Sequence, residues 1–312
     1  MINFKKMKKL YFLTVFALIT FVDVSAQQDP NYTQYMYNLS VINPAYAGSK
    51  ESVSGGLLYR KQWVEIEDAP TTGTFFLHSP VGKNVGLGLS AITDKIGPVE
   101  ENNIFADFSY TLNLGGESRL ALGIKGGVTF HKIDFGRIYP TLPDVNDGVF
   151  QYADPNSSKM NLGTGAFFYT NKFYLSFSVP NMLKSKYLDY DGAEYGSEVS
   201  HYFLTGGYVF DLTPTVKFKP FAMVKSAFNS PTSFDVSTNF LFNDKFEVGA
   251  TYRLEDSFGA MVNYAITPGL RIGYAYDRII SDLKVATQSS HEVVLLFDLY
   301  FPKKVSQSPR YF

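Results

Sequence analysis

At 312 residues the chain is longer than a single hydrophobic core usually grows, so it is either divided into domains or closed into a barrel. Its formal net charge of −1, from 28 basic and 29 acidic side chains, offers no basic face for neutralising phosphates and argues against nucleic acid as a partner. The absence of cysteine removes disulfides, thiolate metal sites, a thiol nucleophile and an acylated N-terminal cysteine, while 22 Tyr, 28 Phe and 25 Gly at a mean hydropathy of −0.06 are too polar for a helical membrane protein.

The first segment reads as an export signal over residues 1–26. Lys5, Lys6, Lys8 and Lys9 precede an apolar run from Leu10 to Val22, and Val24-Ser25-Ala26 supplies the small residues of a cleavage site. That run is shorter than the roughly 20 residues a spanning helix needs, and no later run approaches such a length. A lead over residues 27–51 follows, rich in amides, Tyr and Pro and in neither strand nor helix register. It reads as a periplasmic segment packed on a barrel rim or, equally, as an aromatic lead that enters the lumen or docks a periplasmic partner.

From Ser52 onward apolar side chains recur at every second position in segments of about ten residues, which is strand periodicity. Strands are predicted near 52–60, 70–79, 84–93, 102–113, 118–132, 160–170, 172–180, 199–211, 215–227, 233–242, 245–254, 257–266, 269–278 and 291–301. In the clearest of them Phe234, Val236, Phe240, Phe246, Val248, Phe258, Val262, Ile272 and Tyr274 face one way. Asp235, Asn239, Glu247, Arg253, Asn263, Arg271 and Asp277 face the other. A soluble sandwich also alternates, so the connections decide. Every second one is tight, as at Pro80 to Lys83, Leu114 to Glu117, Asn171, Leu212 to Pro214, Asn243-Asp244 and Thr267-Pro268, and most of the others are longer. That sorting predicts an all-β, antiparallel transmembrane barrel of the outer membrane, about fourteen strands over residues 52–301, with short periplasmic turns, longer extracellular loops and a tail at 302–312. The even strand count places both mature termini on the periplasmic side.

Few residues here call for chemistry. His78, His131, His201 and His291 lie on different predicted strands and never at metal-ligand spacing. The glycine-rich pieces Val85 to Ser90 and Leu162 to Gly165 lie inside strands with no helix after them, so they mark close packing and not a phosphate loop. Asp144, Asp147 and Asp154, and Asp189, Asp191, Glu194 and Glu198, cluster in two predicted outer loops without the ordered pattern of a calcium loop. No metal, cofactor or catalytic residue is assigned, and the expectation is a protein that is not an enzyme. Trp63, the single tryptophan, stands beside Arg60, Lys61 and Gln62 in the first outer connection. Trp63 there and Arg60 at the end of the preceding strand, with Tyr35 and Tyr46 of the lead, are the candidate partner-binding residues, because Trp, Tyr and Arg are enriched among binding hot spots. For Trp63 a place in the interfacial aromatic belt is the competing reading.

The lead, from Gln27-Gln28-Asp29-Pro30-Asn31-Tyr32 through Ile42-Asn43-Pro44-Ala45-Tyr46-Ala47-Gly48-Ser49, resembles the PorP/SprF family of outer-membrane proteins of the type IX secretion system. The likeness continues in Leu58 to Trp63, Ala69 to Thr72, His78-Ser79-Pro80, Lys83 to Gly88, His201 to Tyr208, Phe240 to Lys245, Ile266-Thr267-Pro268, Arg271 to Tyr274 and Ser308 to Phe312. It is weakest over the central loops, about 133–159 and 181–198. The resemblance implies an outer-membrane partner for the secretion machinery and for cargo proteins with C-terminal signal domains, gliding-motility adhesins among them, which it captures, exports or anchors. The rival reading is a pore or transporter for small or hydrophobic solutes. The predicted lumen face mixes Lys125, Lys217, Lys219, Lys225, Glu247, Arg253, Arg271, Glu292 and Asp298 and favours neither sign of ion.

Overall fold

The computed structural model describes residues 31–50, 52–138, 156–183, 186–190, 193–197, 199–227 and 230–299, with the backbone alone over 186–190 and 193–197. The expected signal peptide, the tail and the side chains of both acidic loop clusters lie outside the described residues. Period-2 patterning becomes fourteen wall strands: β1 Val53–Lys61, β2 Thr71–Pro80, β3 Val85–Ile96, β4 Val99–Gly115, β5 Ser118–Ile133, β6 Asn156–Tyr169, β7 Phe173–Val179, β8 Tyr202–Tyr208 continuing as Phe210–Thr213, β9 Val216–Ser226, β10 Ser233–Phe242, β11 Phe246–Arg253, β12 Ser257–Thr267, β13 Leu270–Ile279 and β14 Ser289–Leu299. Each pairs antiparallel with its neighbours in chain order. β1 closes the ring on β14, from Val53↔Leu299 to Lys61↔His291. A small hairpin, Lys186–Tyr190 with Ala193–Ser197, sits in the connection between β7 and β8.

The closed wall is inverted relative to a water-soluble protein. Lys125, Asp107 and Glu247 are at most 3 % exposed inside, while Ile124, Leu122, Phe258 and Val236 stand exposed outside. Only a surround that is itself apolar makes that arrangement favourable, so the sandwich reading falls and the outward face meets acyl chains. Aromatic rings reinforce the boundary: Phe168, Phe173, Tyr208, Phe210, Phe218 and Phe240 follow one another around the mouth that carries the tight turns, with centroids 4.4 to 6.4 Å apart. Tyr252 and Phe258 form a similar contact near the opposite mouth, 4.6 Å apart.

Two expectations are corrected. The predicted gap between the third and fourth strands is itself paired, from Thr93↔Asn102 to Ile96↔Val99, so a tight turn at Gly97 (φ +57°) joins them on the loop side. The lead is not a separate segment on the rim: of its two readings the lumenal one is seen, and residues 31–50 run inside the barrel, starting at the mouth with the long connections and leaving at the mouth with the tight turns. The even count does bring Val53 and Leu299 to the same mouth. Because the lead threads the lumen, however, Asn31 lies at the opposite one, where Lys225 of β9 donates to its side chain.

Candidate functional site: the threaded lumen and its two mouths

Among the described residues the lead forms no strand ladder with the wall. It is a series of single helical turns, Tyr35–Tyr37, Leu39–Ile42 and Pro44–Tyr46, the last capped by Asn43, whose Oδ1 accepts from the Ala45 N–H at 2.8 Å with Pro44 in the first turn. Side chains from both sides hold it. At the loop-side end Arg60 donates to Asp277 (2.8 Å), Glu292 (3.2 Å) and the Thr33 hydroxyl (2.6 Å), while the backbone N–H groups of Thr33 and Gln34 both donate to Glu292 at 2.8 Å. Beside this clamp Arg253 makes a forked contact with Asp235 and donates to the Tyr32 carbonyl. Farther down, Lys125 donates to the Val41 carbonyl at 2.8 Å, and Glu247 accepts from Tyr37, Lys219 and Asn239.

Between these polar anchors the lumen has a hydrophobic core. Tyr35, Met36, Leu39, Ile42 and Tyr46 of the lead pack with Phe167, Tyr174, Phe203, Phe221, Met223 and Met261 of the wall. Burying each of those lead side chains is favourable by about 1.5–3 kcal/mol, and withdrawing them would wet the wall rings as well. A lumen lined by charges alone could be vacated by water entry; this one is closed by packing. Gly86 and Gly123 let the backbones approach: a Cβ at Gly86 would stand 2.1 Å from the Ala47 carbonyl oxygen, and one at Gly123 would stand 2.2 Å from the Ala45 nitrogen.

This geometry redistributes the expected partner residues. Tyr35 (1 % exposed), Tyr46 (4 %) and Arg60 (2 %) are buried in the lumen and offer no surface to another protein. Arg60, the last residue of the predicted strand, differs from the sequence reading in its direction: in the pair Arg60↔Glu292 it faces inward, with the strand running on to Lys61. Trp63 lies outside that cluster, half-buried in the first loop-side connection with φ +45°, its backbone N–H donating to Ser290 Oγ at 3.1 Å. That connection is stapled to the last one. The Val64 N–H donates to the Ser289 carbonyl, and Glu65 accepts from the Thr287 hydroxyl, the Gln288 N–H and the Ser289 hydroxyl. Arg137, beyond β5, ties the same connection by pairing with Asp68.

The hydrogen bond from Thr287, with smaller ones from Gln288 and Ser289, lowers the Glu65 carboxyl from an ordinary 4.5 to about 2. A depressed acid stabilises above its ordinary value, and that contribution is lost as pH falls from about 4.5 through about 2. The staple is therefore intact at neutral pH. Glu65→Gln, which keeps the shape and removes the charge, is expected to speed proteolytic cleavage between Trp63 and Ala69 at pH 7 while leaving the barrel's heat-modified migration unchanged; equal cleavage in both proteins would refute the staple.

The histidines stay apart: His78 accepts from the Gly48 N–H, and His291 contacts Tyr274. Among the described residues no group of His, Asp or Glu is arranged to hold a metal ion. The sequence places Asp235, Asp277, Glu292 and Glu247 on the lumen face but does not show that Asp277, Glu292 and Glu247 grip the lead directly and Asp235 does so through Arg253. The available signal was their position beside Arg60, Arg253 and Lys219: Glu292 and Asp235 on the adjacent strand, Asp277 and Glu247 on the next but one.

A closed fourteen-strand antiparallel wall, apolar outward and filled by its own N-terminal segment, defines a membrane β-barrel of the outer-membrane type. Among solved structures it is similar to the CymD monoaromatic hydrocarbon channel (10 % identity, TM-score 0.53, covering 83 % of this chain and 91 % of that one). It is also similar to the outer membrane protein Omp33 of Acinetobacter baumannii (12 %, 0.48, 81 % and 100 %) and to the Ralstonia pickettii toluene transporter TbuX (12 %, 0.48, 83 % and 92 %). At such identities the likeness is one of fold. No curated protein matches the sequence. The pattern of the type IX secretion system membrane proteins PorP/SprF matches residues 24–297, and the chain belongs to that family.

Proposed function

We propose that this barrel serves type IX secretion as a non-catalytic partner that captures, exports or anchors a cell-surface cargo protein with a C-terminal signal domain, a gliding-motility adhesin being the expected kind. The family match over residues 24–297 carries this reading. The occupied lumen supports it, because a barrel whose interior is packed by residues 31–50 is suited to present a fixed surface. In this reading the tight turns face the periplasm and the long connections face outward. The first and last wall strands then end on the periplasmic side, while Asn31 lies toward the cell surface. Loop-side residues held by the staple and by the clamp below them give a cargo domain a rigid platform.

Trp63 is the proposed anchor of that platform, as a half-buried aromatic ring on a connection fixed at both ends. Trp63→Ala, at equal barrel abundance in the outer membrane, is expected to lower surface cargo severalfold; unchanged cargo would return Trp63 to the aromatic belt. The rival reading is a pore for small or hydrophobic solutes, as the name of the CymD channel suggests for that protein. Loss of a pore leaves surface proteins unchanged and slows solute uptake, whereas loss of a secretion partner does the reverse.

A further inference from the structure

A second opening lies at the turn-side mouth, beneath the lead. It is a vestibule of about 500 Å³ between the Asn243–Lys245 and Thr267–Gly269 turns, the end of β14 and the exit of the lead at Lys50. Its lining sets aliphatic side chains, including Leu241, Leu270 and Leu296, beside charged and other polar ones. The acids there are already engaged: Glu247 accepts from Tyr37, Lys219 and Asn239, Asp298 pairs with Lys50, and Asp244 pairs with Lys217. Arg271, projecting inward from β13, receives little from them. Its Nη1 is 3.7 Å from Glu247 and makes no hydrogen bond, and its Nη2 reaches only the Asp244 carbonyl at 3.5 Å. Since Lys219 already neutralises Glu247, the guanidinium, on a side chain 21 % exposed, is surplus positive charge on a rigid wall beside an aliphatic surface.

We propose that this vestibule is a binding site for an acidic segment of a polypeptide, with the Arg271 guanidinium gripping a carboxylate and Leu241, Leu270 and Leu296 receiving a neighbouring apolar side chain. That the polypeptide is periplasmic rests on the orientation given under the proposed function; the chemistry of the site does not. A fork of donors selects a planar carboxylate, and the aliphatic lining favours a peptide over a free ion.

The test uses the purified full-length barrel in detergent and, as probe, a short fluorescein-labelled peptide alternating Asp and Leu, followed by fluorescence anisotropy. The expected result is saturable binding that weakens with salt and falls by about tenfold in Arg271→Gln, with Arg271→Lys between the two. Lys61→Gln, at the opposite mouth, is expected to bind as the parent does. Retained heat-modified migration shows that each variant is folded, and Arg271→Lys keeps the comparison open if Arg271→Gln does not assemble. Equal binding by the parent and both Arg271 variants, equal binding of an Asn and Leu peptide, or complete displacement by inorganic phosphate at the peptide's own concentration would each overturn the proposal. Failure of the cargo reading is separable: surface cargo that survives loss of the whole barrel defeats that reading and leaves peptide binding by the purified protein untouched.

Discussion

Deletion of residues 31–50, with the export signal and all fourteen strands kept, is expected to turn a silent barrel into a conducting one. The full-length protein has its lumen packed by Tyr35, Met36, Leu39, Ile42 and Tyr46 against wall aromatics, and the polar anchors seal both ends of that core. Without the lead, the wall ion pairs Arg253–Asp235, Lys219–Glu247 and Lys125–Asp107 keep their partners and come to line water, which a barrel of this strand number can admit. Planar-bilayer recordings of the two proteins give the answer. Steady conductance steps from the deletion variant alone agree with a packed plug, whereas equal conductance from the full-length barrel would sink it. The deletion variant should also lose its heat-modified migration at a markedly lower temperature. Single changes offer a milder route: Leu39→Ala and Ile42→Ala each open a cavity in a closed core and are expected to cost about 2–5 kcal/mol.

The second large effect is at Arg60. Its guanidinium stands between Asp277 and Glu292, which are 2 % and 0 % exposed, and it also binds the lead through Thr33. Replacing it by Ala leaves two buried carboxylates facing one another without their shared cation, a loss of about 3–5 kcal/mol. The expected result is a barrel with a depressed unfolding temperature and a lead that protease can reach from the loop-side mouth. Asp277→Asn in the Arg60→Ala background removes one of the stranded charges and should recover part of the loss. The same instability in single and double variants would mean that the effect is one of packing and not of charge.

Much of the wall was legible because its information is local. Phe234, Val236 and Phe240 against Asp235 and Asn239 specify a strand and its two faces within ten residues, and the turns at Asn243-Asp244 and Thr267-Pro268 specify the next reversal. The role of Arg60 at the strand end was not so legible. That it faces the lumen and that pairing continues to Lys61 depend on Glu292 and His291, more than two hundred residues away. The extended hairpin of β3 and β4 was hidden for a local reason: Asp94, Lys95, Glu100 and Glu101 carry little strand preference and are held in the ladder by the pairs Asp94↔Glu101 and Lys95↔Glu100. The glycine-rich stretches did signal close packing, yet nothing in them says that the close neighbour of Gly86 and Gly165 is the lead.

The sequence by itself determined the alternation, the number of wall strands and the sorting of tight turns from long connections, and with these a barrel set in lipid, because each follows from neighbours a few positions apart. Only the tertiary structure decided that residues 31–50 fill the barrel, that Arg60, Tyr35 and Tyr46 are anchors of that segment, and that Asn31 and Leu299 lie at opposite mouths. The lead has no periodicity of its own, and its contacts reach across the chain, as from Thr33 to Glu292 over 259 positions. Such contacts come into being when the ring closes and offers the lead one enclosed surface on which its polar and apolar side chains are met together.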